Sequence, residues 1–148
     1  MVDPHVTTCQ VRWIDIDAYK HVNNTVFLRY LEQARLELFG HVPAVAGQPP
    51  PTGPDAEPTD SFVIAELEAT YKRPLLLRPK PVYVHSWTTH LGNSSFHLTH
   101  ALVDDQHEYL VGVARMVCIN RESTRPRPLR AHEREILERY RMDPTARR

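Results

Sequence analysis

With 148 residues, 41% of them hydrophobic and 24% charged, the chain reads as one ordinary globular domain. A formal net charge of zero removes the global electrostatic signature of a nucleic-acid binder. No apolar run approaches the ~18–20 residues that span a bilayer, and the two cysteines, far apart in sequence, exclude a disulfide framework.

The opening stretch lacks a basic segment followed by an apolar one, so no secretory signal is read there. With two thiols expected to be free and buried, the expectation is a cytoplasmic protein that contacts neither membrane nor nucleic acid. The β-branched and aromatic run "VTTCQVRWI" predicts a first strand over 6–14. A polar knot follows, "DIDAYKHVNN", and then a helix. Phe27, Tyr30, Leu31, Ala34 and Leu38 fall on one helical face, while Arg29, Glu32, Gln33 and Arg35 lie largely elsewhere. Asn24 is read as the N-cap, and Gly40 sits where a left-handed residue would end the helix.

Residues 41–60 hold six of the thirteen prolines, which predicts a long loop. From Ser61 the pattern alternates, with Val63, Ala65, Leu67, Ala69 and Tyr71 on one apolar face. Further strands are predicted over 81–91, across "SFHLTHALV", and across "EYLVGVARMVCIN". Their turns are Leu91-Gly92-Asn93-Ser94 and Asp104-Asp105-Gln106-His107. Pro126 and Pro128 precede a short helix at about 130–141, inside a basic extension over 121–148 with nine arginines against five acids. One helix and five strands, four of them consecutive and read as a meander, predict an α+β domain whose antiparallel sheet curls around the helix. Such a sheet leaves edges that pairing with a second copy would cover.

The knot is where chemistry is expected. Asp17 lies on a loop that must fold back over a helix start. There, free amides and the helix dipole favour an anion and can stabilise an oxygen gaining negative charge. Asp15 is read as a structural carboxylate bonding loop amides.

The segment "DIDAYKHVNNTVFLRYLEQAR" resembles the signature of hotdog-fold acyl-CoA thioesterases of the 4-hydroxybenzoyl-CoA thioesterase-like group. It is also similar to the Asp-x-Asp-x-x-x-His-Val-Asn-Asn stretch of plant acyl-ACP thioesterases. "ATYKRPLLLRPKPVYV" and "GVARMVCINRESTRPRPL" resemble later strands, so the similarity spans about residues 6–130. The resemblance implies a five-stranded hotdog sheet around one long central helix, and hydrolysis of an acyl-CoA or acyl-ACP thioester without metal or redox cofactor. It also implies a homodimer or a tetramer of dimers, with the site at the dimer interface. Asp17 falls where the bacterial enzymes place the carboxylate that attacks the thioester or activates water. Asn24 falls at the helix start whose backbone amide polarises the carbonyl. His21 matches a residue that is catalytic in the plant enzymes and orienting elsewhere, and both roles stay open. Tyr19 departs from the plant pattern, where an asparagine stands, and Lys20 replaces a frequent glycine.

Substrate contacts are expected from Asn23, Tyr19, Phe27, Lys72 and Arg73. Arg78, Lys80, Arg121, Arg125 and Arg127 are further candidates for coenzyme A phosphates. The histidines His97 and His100, three apart on a strand, point to opposite faces and form no metal pair. A hydratase on the same fold and a non-catalytic acyl-CoA-binding module are the rival readings.

Overall fold

The computed structural model describes residues 2–40 and 60–143. The predicted proline-rich loop lies outside them, except for Asp60, which opens a strand. In chain order the elements are β1 (His5–Cys9), α1 (Asn24–Leu38), β2 (Asp60–Tyr71), β3 (Val82–Leu91), β4 (Ser95–Val103), β5 (Glu108–Asn120) and α2 (Ala131–Arg139). All five strands form one antiparallel sheet in the order β1-β3-β4-β5-β2, with α1 packed on its inner face. This is the α+β hotdog arrangement expected from the sequence.

Three expectations need correction. β1 ends at Cys9 rather than at residue 14, because the chain turns into a short 3₁₀ segment over Trp13–Asp15. β2 pairs with β5, not with β3, so the strands are not one continuous meander. Residues 72–81, with prolines at 74, 79 and 81, cross the sheet end instead of making a hairpin, and Leu75 accepts a bond from the Val22 amide at 2.8 Å on the way. Finally, the single alternation drawn through β2 is broken by a register shift between Ile64 and Glu66. The bulge at Ala65 shifts the phase by one residue. Phe62 and Ile64 therefore lie opposite Cys118 and Met116, and Leu67 and Ala69 opposite Ala114 and Gly112.

The core has two clusters. One surrounds the start of α1, with Phe27, Tyr30, Leu31, Val82, Val84, Leu102 and Leu110. The other lies under its end and α2, with Leu38, Phe96, Leu98, Met116 and Leu137. Helix and β2 run antiparallel: the Tyr71 hydroxyl donates to the Asn24 carbonyl at 2.6 Å, and the Phe39 and Phe62 rings meet at 4.4 Å. Gly112 is where α1 comes closest to the sheet, since a Cβ there would stand 2.7 Å from Leu31 Cδ1. Gly40 ends the helix at φ 71°, as predicted. Cys9 and Cys118 are both buried and free, and burial pushes both thiols up to about 12. No helix among the described residues is long and apolar enough to cross a membrane.

Candidate active site

The polar knot folds as a miniature hairpin hooked over the start of α1. Ile16 bridges to Val22, the Asp17 amide donates to the His21 carbonyl at 3.0 Å, and the Lys20 amide donates to the Asp17 carbonyl at 3.0 Å. The turn requires a left-handed residue at its last position, and Lys20 takes it at φ 64°. That conformation crowds the Cβ of any L side chain, which explains why glycine suits this position. Lys20→Gly is expected to raise stability by about 0.5–1 kcal/mol in urea unfolding, with an unchanged slope.

Asp15 holds the hairpin to the helix. Its carboxylate is 2% exposed and accepts from the Arg12 amide at 2.8 Å, the Arg12 guanidinium at 3.2 Å and the Tyr30 hydroxyl at 2.9 Å. Its carbonyl accepts the Asn23 amide at 2.9 Å. Burial alone would raise the pKa of this group. The donations from the Arg12 amide, the Tyr30 hydroxyl and the Arg12 side chain outweigh burial and hold the carboxyl below its ordinary value. Asp15 is thus occupied in structure, and Tyr30, read only as core, supplies one of its donors.

Asp17 is held differently. One carboxylate oxygen accepts the Tyr19 amide at 2.9 Å; the other faces only the Asn23 side-chain amide at a long 3.4 Å. The group is partly exposed, so a bound molecule can reach it.

The N-cap is Asn23, not Asn24: its side chain accepts from the Thr25 amide at 2.9 Å and the Thr25 hydroxyl at 2.7 Å. Adjacent asparagines both suit a cap, and the trace of the loop decides between them. Asn24 becomes the first helical residue, and its amide donates to no group among the described residues. The same Asn23 side chain therefore caps the helix and touches Asp17. Replacing it by alanine is expected to cost about 1 kcal/mol of stability, measured by thermal unfolding.

The other predicted residues are dispersed. The His21 ring is exposed and bonds to nothing among the described residues, while its carbonyl closes the hairpin. Tyr19 is 83% exposed beside Asp17. Phe27 is a core residue, its ring edge-on to Tyr71 at 5.2 Å. Lys72 and Arg73 follow Tyr71 directly; Lys72 pairs with Glu108 at 2.6 Å, and the Arg73 guanidinium has no partner among the described residues. Arg78 is committed to Asp104 and Tyr109, and Arg127 to Glu133 at 2.8 and 3.0 Å. Both are internal ties rather than free phosphate contacts. Arg121 and Arg125 lie beyond Asn120, at the far end of the β2–β5 ladder from Tyr71. About eleven strand residues, roughly 35 Å of ladder, separate them from Tyr71. Tyr71, which fixes the Asn24 carbonyl, had no distinguishing mark beyond its place at the end of an apolar alternation.

The site thus joins a reachable carboxylate to an amide, at the positive end of a helix, that donates to nothing among the described residues. Residues 11–138 match the family model described as "Thioesterase-like superfamily". The chain belongs to this superfamily.

A thioesterase from Thermus thermophilus, solved with coenzyme A and zinc, is 33% identical at a TM-score of 0.71, covering 92% of each chain. PA2801, a candidate thioesterase of Pseudomonas aeruginosa, is 29% identical at a TM-score of 0.73, covering 90% of this chain and 97% of its own. YbaW of Escherichia coli, at 22% identity and a TM-score of 0.72, covers 93% of this chain and 99% of its own and shares the fold. No curated protein matches the sequence.

Proposed function

We propose that this thioesterase-superfamily chain hydrolyses an acyl thioester of coenzyme A or acyl carrier protein to the free acid and thiol, with Asp17 as nucleophile or general base. The observation that carries the reading is the pairing of Asp17, one oxygen anchored and one open, with the unbonded Asn24 amide on the element that begins beside it. The thioester carbonyl would accept from that amide. Its carbon would then be attacked by a water that gives its proton to the open carboxylate oxygen, or by that oxygen itself, and the thiolate would leave and take up a proton; on the second route a water then cleaves the acyl–Asp17 anhydride to release the acid. Asn23 positions both partners. Tyr19 and Arg73, exposed at the same end, are offered as contacts to the carrier arm and its phosphates, and Phe27 as the inner wall of the acyl site. Lys72 joins them if Glu108 releases it.

Support for a coenzyme A carrier comes from the relative from Thermus thermophilus solved with that ligand. Two features favour a homodimer or a tetramer of dimers with the site at the interface. β2 is an edge strand with exposed Val63, Ile64 and Tyr71, and Trp13 and Ile14 are exposed next to the loop.

The deciding experiment follows thiol release and enoyl absorbance together over a panel of acyl-CoA substrates. Release of thiol by the native protein supports the reading. Loss of enoyl absorbance without thiol would make the protein a hydratase, and binding without turnover an acyl-CoA-binding module. Light scattering gives the oligomer mass, and a monomer that hydrolyses at full rate would overturn the shared site.

A further inference from the structure

Between the two core clusters lies a polar layer that the proposed chemistry does not use. His5, Ser86, His100 and Gly112 are register partners across β1, β3, β4 and β5, so they form one row over the middle of the sheet. Val84 and Leu102 bound the row on one side; Leu98 and Ala114 bound it on the other. Thr88 stands two residues after Ser86 on the same face of β3 and is fully buried. From above comes Arg35, one helical turn after the Leu31 that packs on Gly112. The helical wheel set this arginine apart from the apolar face. The structure buries it to 7% exposure, because positions four apart share a face.

Three buried polar atoms here have no partner among the described residues: Arg35 Nη1, Thr88 Oγ1 and His100 Nε2. The guanidinium makes no ion pair among the described residues, and its field reaches His100. The exposed Glu32, three residues back on α1, is the acid whose field reaches the guanidinium, too far away to pair with it. A buried cation so weakly compensated is costly in a protein interior, whereas one bound anion would compensate it directly. His100 is also oriented for such a guest. Burial first, then Arg35, pull its pKa down to about 3, so the ring is neutral and carries one proton. Ser86 Oγ lies 2.7 Å from Nδ1, and either atom can donate to the other; in the tautomer where the hydroxyl donates, the ring proton sits on Nε2, the unpartnered atom. In that tautomer the arginine, the threonine hydroxyl and the imidazole N–H are all donors, and no carboxylate among the described residues accepts a bond from them.

We propose that Arg35, Thr88 and His100 form a buried binding site for a small monovalent anion, of chloride or formate size, between α1 and the sheet. The anion neutralises the layer dividing the core and fixes α1 on the sheet. It is independent of the hydrolytic reading, since none of the three residues belongs to the Asp17 loop.

The test is thermal unfolding of the full chain with increasing chloride at constant ionic strength, the balance made up with gluconate, which is too large for a closed interior site. The native Tm should rise by about 5 °C when chloride is well above its dissociation constant. In Arg35→Met the rise should vanish, and the Tm in gluconate alone should equal or exceed that of the native protein. A native Tm indifferent to chloride, or a rise that persists in Arg35→Met, overturns the proposal. If Arg35→Met does not fold, native crystals soaked in bromide decide. An anomalous peak against the Arg35 guanidinium supports the site, and a layer holding only water refutes it.

Discussion

Asp17→Asn is expected to lower kcat by about 10²–10⁴-fold while leaving KM near its native value, as removal of a group acting only in the transition state should. The substitution suits the question because it is nearly isosteric. The Tyr19 amide still finds an oxygen to donate to, and the hairpin bonds Asp17 N–His21 O and Lys20 N–Asp17 O involve backbone only. What disappears is the charge on the open oxygen, and with it both the nucleophile and the proton acceptor. His21→Ala is the companion measurement. Its ring is exposed and unbonded among the described residues, and the carbonyl that closes the hairpin survives the change, so kcat should stay within about tenfold. A His21→Ala loss as large as that of Asp17→Asn would move the base to the imidazole. A full rate in Asp17→Asn would remove the carboxylate from the chemistry altogether. For the native enzyme, single turnover in ¹⁸O water separates the two routes, since label in the Asp17 carboxylate requires an acyl-enzyme anhydride.

The residues differ in how openly the sequence announces such roles. α1 was legible because five apolar positions repeat at helical spacing, and its end because Gly40 alone suits a left-handed residue there. Its first residue was not, since either of two neighbouring asparagines caps well and only the bond from the Asn23 amide to the Asp15 carbonyl selects one. β3, β4 and β5 were bounded by short polar turns and came out nearly to the residue. β2 misled twice, both times for a non-local reason. Its bulge depends on the register against β5, and its partner is chosen by a crossing that no local pattern encodes. Ionic residues were the least legible. Arg78 and Arg127 looked like free cations in sequence, yet Asp104 and Glu133, 26 and 6 residues away, meet them in the fold. Arg35 looked solvated and is buried. A charge pattern shows which groups exist, but their partners come from tertiary structure.

The second large effect is expected at Asp15, in stability rather than in chemistry. Asp15→Asn should lower unfolding free energy by about 2–3 kcal/mol at neutral pH, because bonds to a buried charged acceptor weigh more than neutral ones and three donors converge on it. The pH dependence gives the prediction its sign. Hydrogen bonding depresses the folded-state pKa of Asp15, so its contribution is fully present above the unfolded value, about 3.9. That contribution drains away as pH falls from about 5 through the folded value. Native and Asp15→Asn stability curves, measured by urea unfolding between neutrality and acid, should therefore converge on the acid side. A gap that stayed constant with pH would mean that the loss comes from shape and not from charge. The loop should also betray itself in activity. Asp15 touches no substrate in this arrangement, but its carboxylate fixes the residue whose backbone carbonyl takes the Asn23 amide, and so sets where the cap and the Asn24 amide stand. Asp15→Asn should thus lower kcat/KM even at temperatures where the protein remains folded, and Tyr30→Phe, removing one donor from the Asp15 carboxylate, should do so in smaller measure. If both variants kept native kcat/KM, the hairpin would hold Asp17 in place without its buried anchor.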